Sequence, residues 1–439
     1  MIFSTVVITL KTYEEFAKEA ITYYEKLPQE KSELYKRHYL HIPFELKNYI
    51  AQKEEHSNLE SAIEKFKQLP VKFDAVIGSD ECKINQENET IKIKSVNELD
   101  GTELKNKLHN NEDDKYMAFV HAYTKNFIFI EVSEGKTVDL NLLFLNSINS
   151  LNFQLFINVG ANSKLNLFEL YQSDSDSTSS VGAMQELVAG NSSSIEINSI
   201  HNENSNTVVL GFTRNRIGSD STFRFNSFYN GGSHTRIRNR IESSEHKSNV
   251  EVNEVVFGSK TQKFDIYTYL VNAAQDTNAS LESKAALMNT SYCILKGFAK
   301  VIKGANRSRS YVHERGILLD KGAKIVGLPD LSVDENDVKA THSSATAPVD
   351  SEAIFYLMSK GIDEPGVRRL LVNAFFTSSL TKIKNNIMKE LAMSLVQEKL
   401  RTGEFGLMPK LETKDIWVAA TDVVEKDIFK GHYKYRDME

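Results

Sequence analysis

The chain has 439 residues, with 53 Lys and Arg against 59 Asp and Glu and a net charge of −6. That length allows one elongated domain with appendages or two to three compact ones, and the mild acidity speaks against a nucleic-acid protein, which needs a basic excess or a dense basic patch. Two cysteines, Cys82 and Cys293, exclude a disulfide framework and a CxxC-type metal cage.

The opening "MIFSTVVITLKTYEEF" has a short apolar run and no basic leader, so it does not read as a secretory signal. No apolar run approaches the roughly 18–20 residues that cross a bilayer. Sparse cysteine suits a reducing compartment. The expectation is a cytoplasmic protein with no membrane and no nucleic-acid partner.

Residues 1–70 read as an N-terminal helical domain. Thr12 and Glu15 form a T-x-x-E capping box, and Phe16, Ala20, Tyr23 and Leu27 follow on one face until Pro28 stops the helix. A second helix is expected in "NLESAIEKFKQL".

Residues 71–345 change period. Segments such as "NFIFIEV", "FQLFINV", "TFRFNSF" and "NVEVNEVVF" alternate apolar and polar, which marks strands with one buried face. "RIRNRIESS" from Arg236 reads as one solvated strand face. "GANSKLNL" at Gly160, "GNSSSIEIN" at Gly190 and "GSDSTFRFN" at Gly218 each place an apolar pair five and seven residues after the glycine. The pairs are Leu165 and Leu167, Ile195 and Ile197, Phe223 and Phe225. Val250 and Val252 continue the unit, and Leu281 follows Val250 by 31 with Ser283 in its second slot. A fixed turn and a fixed inward pair every 27 to 31 residues are what stacked coils require, so the fold class is mainly β, a parallel β-helix. An ordinary sandwich has turns every 8–12 residues without such a shared register.

Residues 346–401 read as a C-terminal helical domain. Ile354, Phe355, Leu357 and Met358 open a helix ending at Gly361. Asp363 caps the next, with Pro365 in its first turn and Val367, Leu370, Leu371, Ala374 and Phe375 as its stripe. Phe376, Leu380, Ile383, Ile387 and Leu391 carry the helical spacing on to about Arg401. Residues 402–439, with the single Trp417, form an extension of unassigned role.

The stretch 318–376 resembles the C-terminal signature of the SufB/SufD family of iron–sulfur cluster assembly scaffolds. The matching elements are Pro329 to Val333, Asp337 and Val338, the turn with His342, Ala345 and Thr346, "FYLMSKGI" from Phe355, and "RRLLV" from Arg368. "ILKGFAKVIKGANRSRSY" is a looser match upstream, and "LPQEKSELYKRHYL" is similar to an element of SufD members. The resemblance implies a right-handed parallel β-helix flanked by N- and C-terminal helical domains. It implies a non-catalytic scaffold subunit that pairs with a SufB-like subunit and takes sulfur, indirectly, from a cysteine desulfurase. A SufC-like ATPase would dock on the C-terminal helices, at Phe355, Tyr356, Gly361, Arg368, Arg369, Leu371 and Phe375. No cofactor is expected to be permanently bound; a transient Fe–S cluster would be shared with a partner.

The SufB-like branch has a Cys where this chain has Ala323 and a Glu where it has Ser343, so the chain resembles the SufD-like branch. His342 is then the candidate metal ligand, a partial one at a subunit interface; the plain alternative is a strand-end histidine bonded to backbone or to Asp337. His313 and Glu314 fall on opposite strand faces and read as surface residues. Cys293 reads as a buried inert thiol, Cys82 as exposed and unremarkable. No Walker A motif is present, so ATP hydrolysis must come from a partner. Two alternatives stand: a β-helix carbohydrate-active protein, and a homo-oligomeric scaffold working without a SufB-like subunit.

Overall fold

The computed structural model describes residues 13–49, 59–66, 69, 71–85, 90–99 and 113–409. Thr12 of the expected capping box and Trp417 lie outside these, as does most of the 402–439 extension.

The centre of the molecule is a parallel β-solenoid of about eight turns. Each turn lays one strand on each of two ten-stranded sheets. On the first sheet the parallel strands run in the order Thr137–Asn146, Lys164–Ser173, Ser194–Asn202, Thr222–Tyr229, Asn249–Gly258, Asn278–Leu287, Arg309–Leu318 and Lys339–Pro348. The second sheet takes Asn126–Val132, Leu151–Val159, Ser179–Ala189, Thr207–Ile217, His234–Ser243, Lys263–Asn272 and Tyr292–Val301, followed by the short Lys324–Gly327 and Asp330–Val333.

The repeat in the sequence is the register of the first sheet. Leu165, Ile195, Phe223 and Val250 stand in one column, and Leu167, Ile197, Phe225 and Val252 in the next. The column residues fill the interior between the sheets. One position shifts by two: Ala279, not Leu281, aligns with Val250, and Leu281 follows Val252. The small side chain of Ala279 hid the first slot. A second stack, Phe144, Tyr171, His201 and Tyr229, runs in parallel, with ring centroids 4.2 to 5.0 Å apart.

The repeat glycines serve close approach. A Cβ on Gly160 would stand 2.6 Å from the Glu134 nitrogen, and one on Gly190 2.7 Å from the Ala161 nitrogen, because successive corners nest there. The left-handed residue comes two positions later: Asn162, Ser192, Asp220, Lys247, Asp276 and Arg307 all have φ between 53° and 59°. Their N–H groups donate to the next coil's corner, ending with Arg307 to the Asp337 carbonyl at 2.6 Å.

Helices cover both outer faces. Helix α1 (Tyr13–Lys26) and the segment to Tyr49 pack with α3 (Lys115–Tyr123) on the second sheet, where Tyr24, Leu40, Leu46 and Phe119 meet Val208, Leu210 and Phe212. Helix α2 (Leu59–Glu64) packs on the first sheet. Toward the other end, α4 (Ser351–Ser359), α5 (Glu364–Leu380) and α6 (Asn386–Thr402) follow the last coil. Asp363 caps α5 by accepting the Gly366 N–H at 3.0 Å. The expected continuous helix to Arg401 is broken: Asn385 starts α6 afresh by accepting the Met388 N–H at 2.9 Å. That break lets both helices lay Phe375, Phe376, Leu391 and Leu395 on Phe168, Phe228, Val255 and Phe257 of the sheet.

The strand face at Arg236 is buried, which corrects its reading as solvated. Arg236 is 0 % exposed and pairs with Asp114 at 2.6 Å and Asp265 at 3.4 Å, above the Tyr116 ring. Asp265 also accepts from Arg238 and from the Leu40 N–H at 2.8 Å, and lies 3.1 Å from the Lys296 ammonium. Burial alone would raise the Asp265 carboxyl; Arg238, Lys296 and Arg236 outweigh it and hold it far below its usual range. The partners lie 122 and 29 residues from Arg236, so local sequence could not reveal them.

Candidate functional site

The solenoid ends on Lys339–Pro348, whose outer edge pairs with no described strand. An inward column runs through every turn of the first sheet: Leu140, Leu167, Ile197, Phe225, Val252, Leu281, Val312 and then His342. The first seven are buried and apolar, whereas His342 is exposed. Among the described residues, no further coil covers it. The histidine occupies a core position at the end where the core stops.

Two residues along lies a polar column: Glu169, Ser199, Ser227, Glu254, Ser283, Glu314 and Ser344. Glu254 accepts from Asn239 at 3.1 Å, from Ser283 at 2.8 Å and from Thr268. Glu314 accepts the Gly297 N–H at 2.7 Å through Oε1. Its Oε2 is buried without a regular hydrogen bond. Burial pushes the Glu314 carboxyl up to about 8, reinforced by Glu254 and opposed by the backbone N–H groups of Gly297 and Leu328 and by the Ser344 hydroxyl. Burial raises Glu169 to about 8 as well.

These positions correct the surface reading of Glu314, which is 1 % exposed inside the solenoid. Its neighbour His313 does face outward, with Nδ1 2.8 Å from the Ser343 hydroxyl. The column was readable in principle, since Glu314 stands two residues beyond Val312, but only once the Ala279 slip is set right. Asp337 contributes its carbonyl to the corner ladder.

Ala323, at the place of the SufB-like thiol, is buried beside Cys293 and Ile325. Cys293 is buried and its thiol is raised well above the usual value by desolvation. Cys82 is half-buried, not exposed as its polar neighbours suggest, and burial lifts its thiol to about 11. Neither is poised as a thiolate. Among the described residues, no three or more His, Cys, Asp or Glu gather as a metal site. No described helix is long and apolar enough to cross a membrane.

The C-terminal helices divide the expected docking residues. Phe355 and Tyr356 on α4 are 74 % and 60 % exposed, and α4 has no buried residue. Gly361 follows with φ +90°, and Arg369 is exposed. Arg368 is turned to Asp320 at 2.9 Å and Glu364 at 3.1 Å. Leu371 and Phe375 are buried, which corrects their placement on a docking surface: they lie on the inward side of α5, and Phe375 sits in the core formed with the solenoid. Lys284 fastens that contact by donating to the Phe375 carbonyl at 3.0 Å. Lys399 of α6 does the same for the Asn230 carbonyl at 2.7 Å.

The family model for the SUF system FeS cluster assembly SufBD core domain matches residues 144–375, more than half of the chain and nearly all of the solenoid. The chain belongs to the SufBD family. It is similar to the iron–sulfur cluster assembly protein SufD of Escherichia coli, with 22 % identity over 187 residues, covering 43 % of this chain and 44 % of the relative. A SufBD family protein of Mycobacterium tuberculosis is 26 % identical over 207 residues, 45 % of this chain and 52 % of the relative. SufD of Bacillus subtilis is 24 % identical over 147 residues, 34 % of each chain. The chain thus spans about half the length, or less, of the curated relatives it matches. Membership in the SufBD family favours the Fe–S assembly reading over the carbohydrate-active alternative.

Proposed function

We propose that this chain is a SufD-like, non-catalytic scaffold subunit that pairs with a SufB-like chain and a SufC-like ATPase while an Fe–S cluster is built and handed on. The observation that carries this reading is the last coil: an exposed histidine in a core column, on an edge strand, with alanine where the SufB-like branch has its thiol. A neutral imidazole binds iron, whereas alanine can neither accept sulfur nor hold it. The partner would therefore bring the thiolate, loaded indirectly from a cysteine desulfurase. The free edge of Lys339–Pro348 gives that partner a strand to pair with. The ATPase would sit on the exposed rings of α4.

The test is to co-purify the chain with SufB-like and SufC-like proteins and to measure iron and acid-labile sulfide in the complex. His342→Ala is expected to lower both without breaking the complex. Unchanged loading would remove the ligand role. If the cluster forms on the chain alone, a homo-oligomeric scaffold is the better reading.

A further inference from the structure

Beyond α6 the chain turns at Gly403, in the left-handed region at φ +72°, and residues 403–409 run back across the ends of the first-sheet strands. Ser259 donates to the Gly403 carbonyl at 3.0 Å, and Lys260 pairs with Glu404. Two strands nearer the start, the Asn202 side chain accepts the Gly406 N–H at 3.2 Å and donates to the Leu407 carbonyl at 3.1 Å. One strand further, Gln172 donates to the Gly406 carbonyl at 2.5 Å. Gly406 permits that approach: its φ is +81°, and a Cβ there would stand 2.6 Å from the Asn204 Cα. Side-chain amides that read backbone groups, and a glycine at the closest point, make this a fitted seat.

The segment covers a lysine. Lys399, on the last turn of α6, is 0 % exposed and donates to the carbonyls of Asn230, at 2.7 Å, and Phe257. Its Nζ lies 5.3 Å from the centre of the Phe257 ring and 4.9 Å from that of Phe405, the buried side chain that 403–409 lays over it. All four neighbours are neutral. The charged groups on the surrounding elements pair with one another: Glu398 with Arg401 at 2.6 Å on α6, Lys260 with Glu404 between sheet and segment, His201 with Glu203 at 3.0 Å on the coil beneath. Lys284, which fastens α5, differs in having Glu282 at 3.5 Å. For Lys399, burial acts without a counter-charge and pushes the ammonium well below the usual lysine range.

We propose that residues 403–409 are a charge-sensitive strap, which shuts over Lys399 while its side chain is a neutral amine and opens when that amine takes up a proton. The amine has two N–H groups for its two carbonyls. The ammonium adds a third N–H and a full charge, for which the shut seat offers ring faces alone. Swinging Phe405 away admits water, and it frees the end of α6 from the coils. In the open state the lysine returns to about 10.4. Below that value opening therefore binds a proton, and each unit of falling pH favours it by up to about tenfold until the shut form is itself protonated. The proposal needs no partner and no cluster, so it stands apart from the scaffold reading.

The test is amide hydrogen exchange of the full chain, followed by mass spectrometry in peptide 400–409 at pH 6, 7 and 8 and corrected for intrinsic rates. Wild type is expected to gain protection there as pH rises, by up to about tenfold per unit. Lys399→Met keeps the length, removes the titration and is expected to flatten the profile. Glu404→Gln, which breaks the pair with Lys260, is expected to keep the slope. Phe405→Ala is expected to lose both protection and slope while the inner coils stay protected, and it decides the matter if Lys399→Met disturbs those coils. A wild-type profile that is flat or falls with pH overturns the proposal. So does a slope that survives in Lys399→Met or Phe405→Ala, because the proton would then bind elsewhere, as on His201.

Discussion

The solenoid is finished at one end and left open at the other. At its start, strands turn antiparallel: Cys82–Ile84 closes on Ala75–Gly78, and Ile91–Ser95 on Asn126–Val132. Those edges are short and carry Lys83, Lys92 and Lys94, which discourages further pairing. At its finish, a ten-residue strand stands bare and the inward column ends in a polar side chain. The same repeat therefore yields buried walls where coils lie on both sides and an exposed inward position where the described coils stop. Position in the stack, more than residue type, decides what an inward residue can do.

Breaking covered positions should cost far more than breaking open ones. Asp265→Ala leaves Arg236, Arg238 and Lys296 buried around a lost carboxylate and should destabilise by about 3–5 kcal/mol, measured as a shift in denaturant midpoint. Leu281→Ala, deep in the column, should cost about 2–5 kcal/mol, while His342→Ala in the same column should stay within about 0.5 kcal/mol. Equal effects would mean that the last rung is packed after all. Phe375→Ala on α5 should cost about 3–5 kcal/mol. The pair Phe355→Ala and Tyr356→Ala on α4 should leave stability nearly unchanged and abolish co-purification with the SufC-like ATPase.

The interior acids make a subtler contrast, in pH. Glu169 and Glu314 are raised to about 8 in the folded chain, against roughly 4.3 for an unfolded glutamate. Between those values the folded state binds more protons than the unfolded one, so stability falls as pH rises. Their contribution is fully present below about pH 4.3 and lost as pH passes through 8. Urea midpoints at pH 5 and pH 8 should differ in that direction, and Glu169→Gln with Glu314→Gln should flatten the difference. A slope that persists in the double variant would place its source elsewhere.

The coil repeat was legible because turn and inward pair recur within a few residues, where periodicity is a local signal. What it could not supply was long-range. Arg236 looks solvated until Asp114 and the N-terminal segment close over it. Glu314 looks exposed until the register beyond Ala279 is known. The helix break before Asn385 shows no proline or glycine; the need to lay two apolar faces on one sheet accounts for it. At the site itself, His342 stood out by resemblance, but its place as the final rung of an apolar column is a fact of stacking.

A stack of coils grows like a polymer, by adding a unit to an end, and among the described strands of this one the long unpaired edge lies at the finish. The antiparallel closure at its start blocks head-to-tail addition, which is the mode that produces open filaments. A meeting of two last strands would consume both long edges at once. Growth of that kind would stop at two chains and set the inner faces of the two last coils side by side.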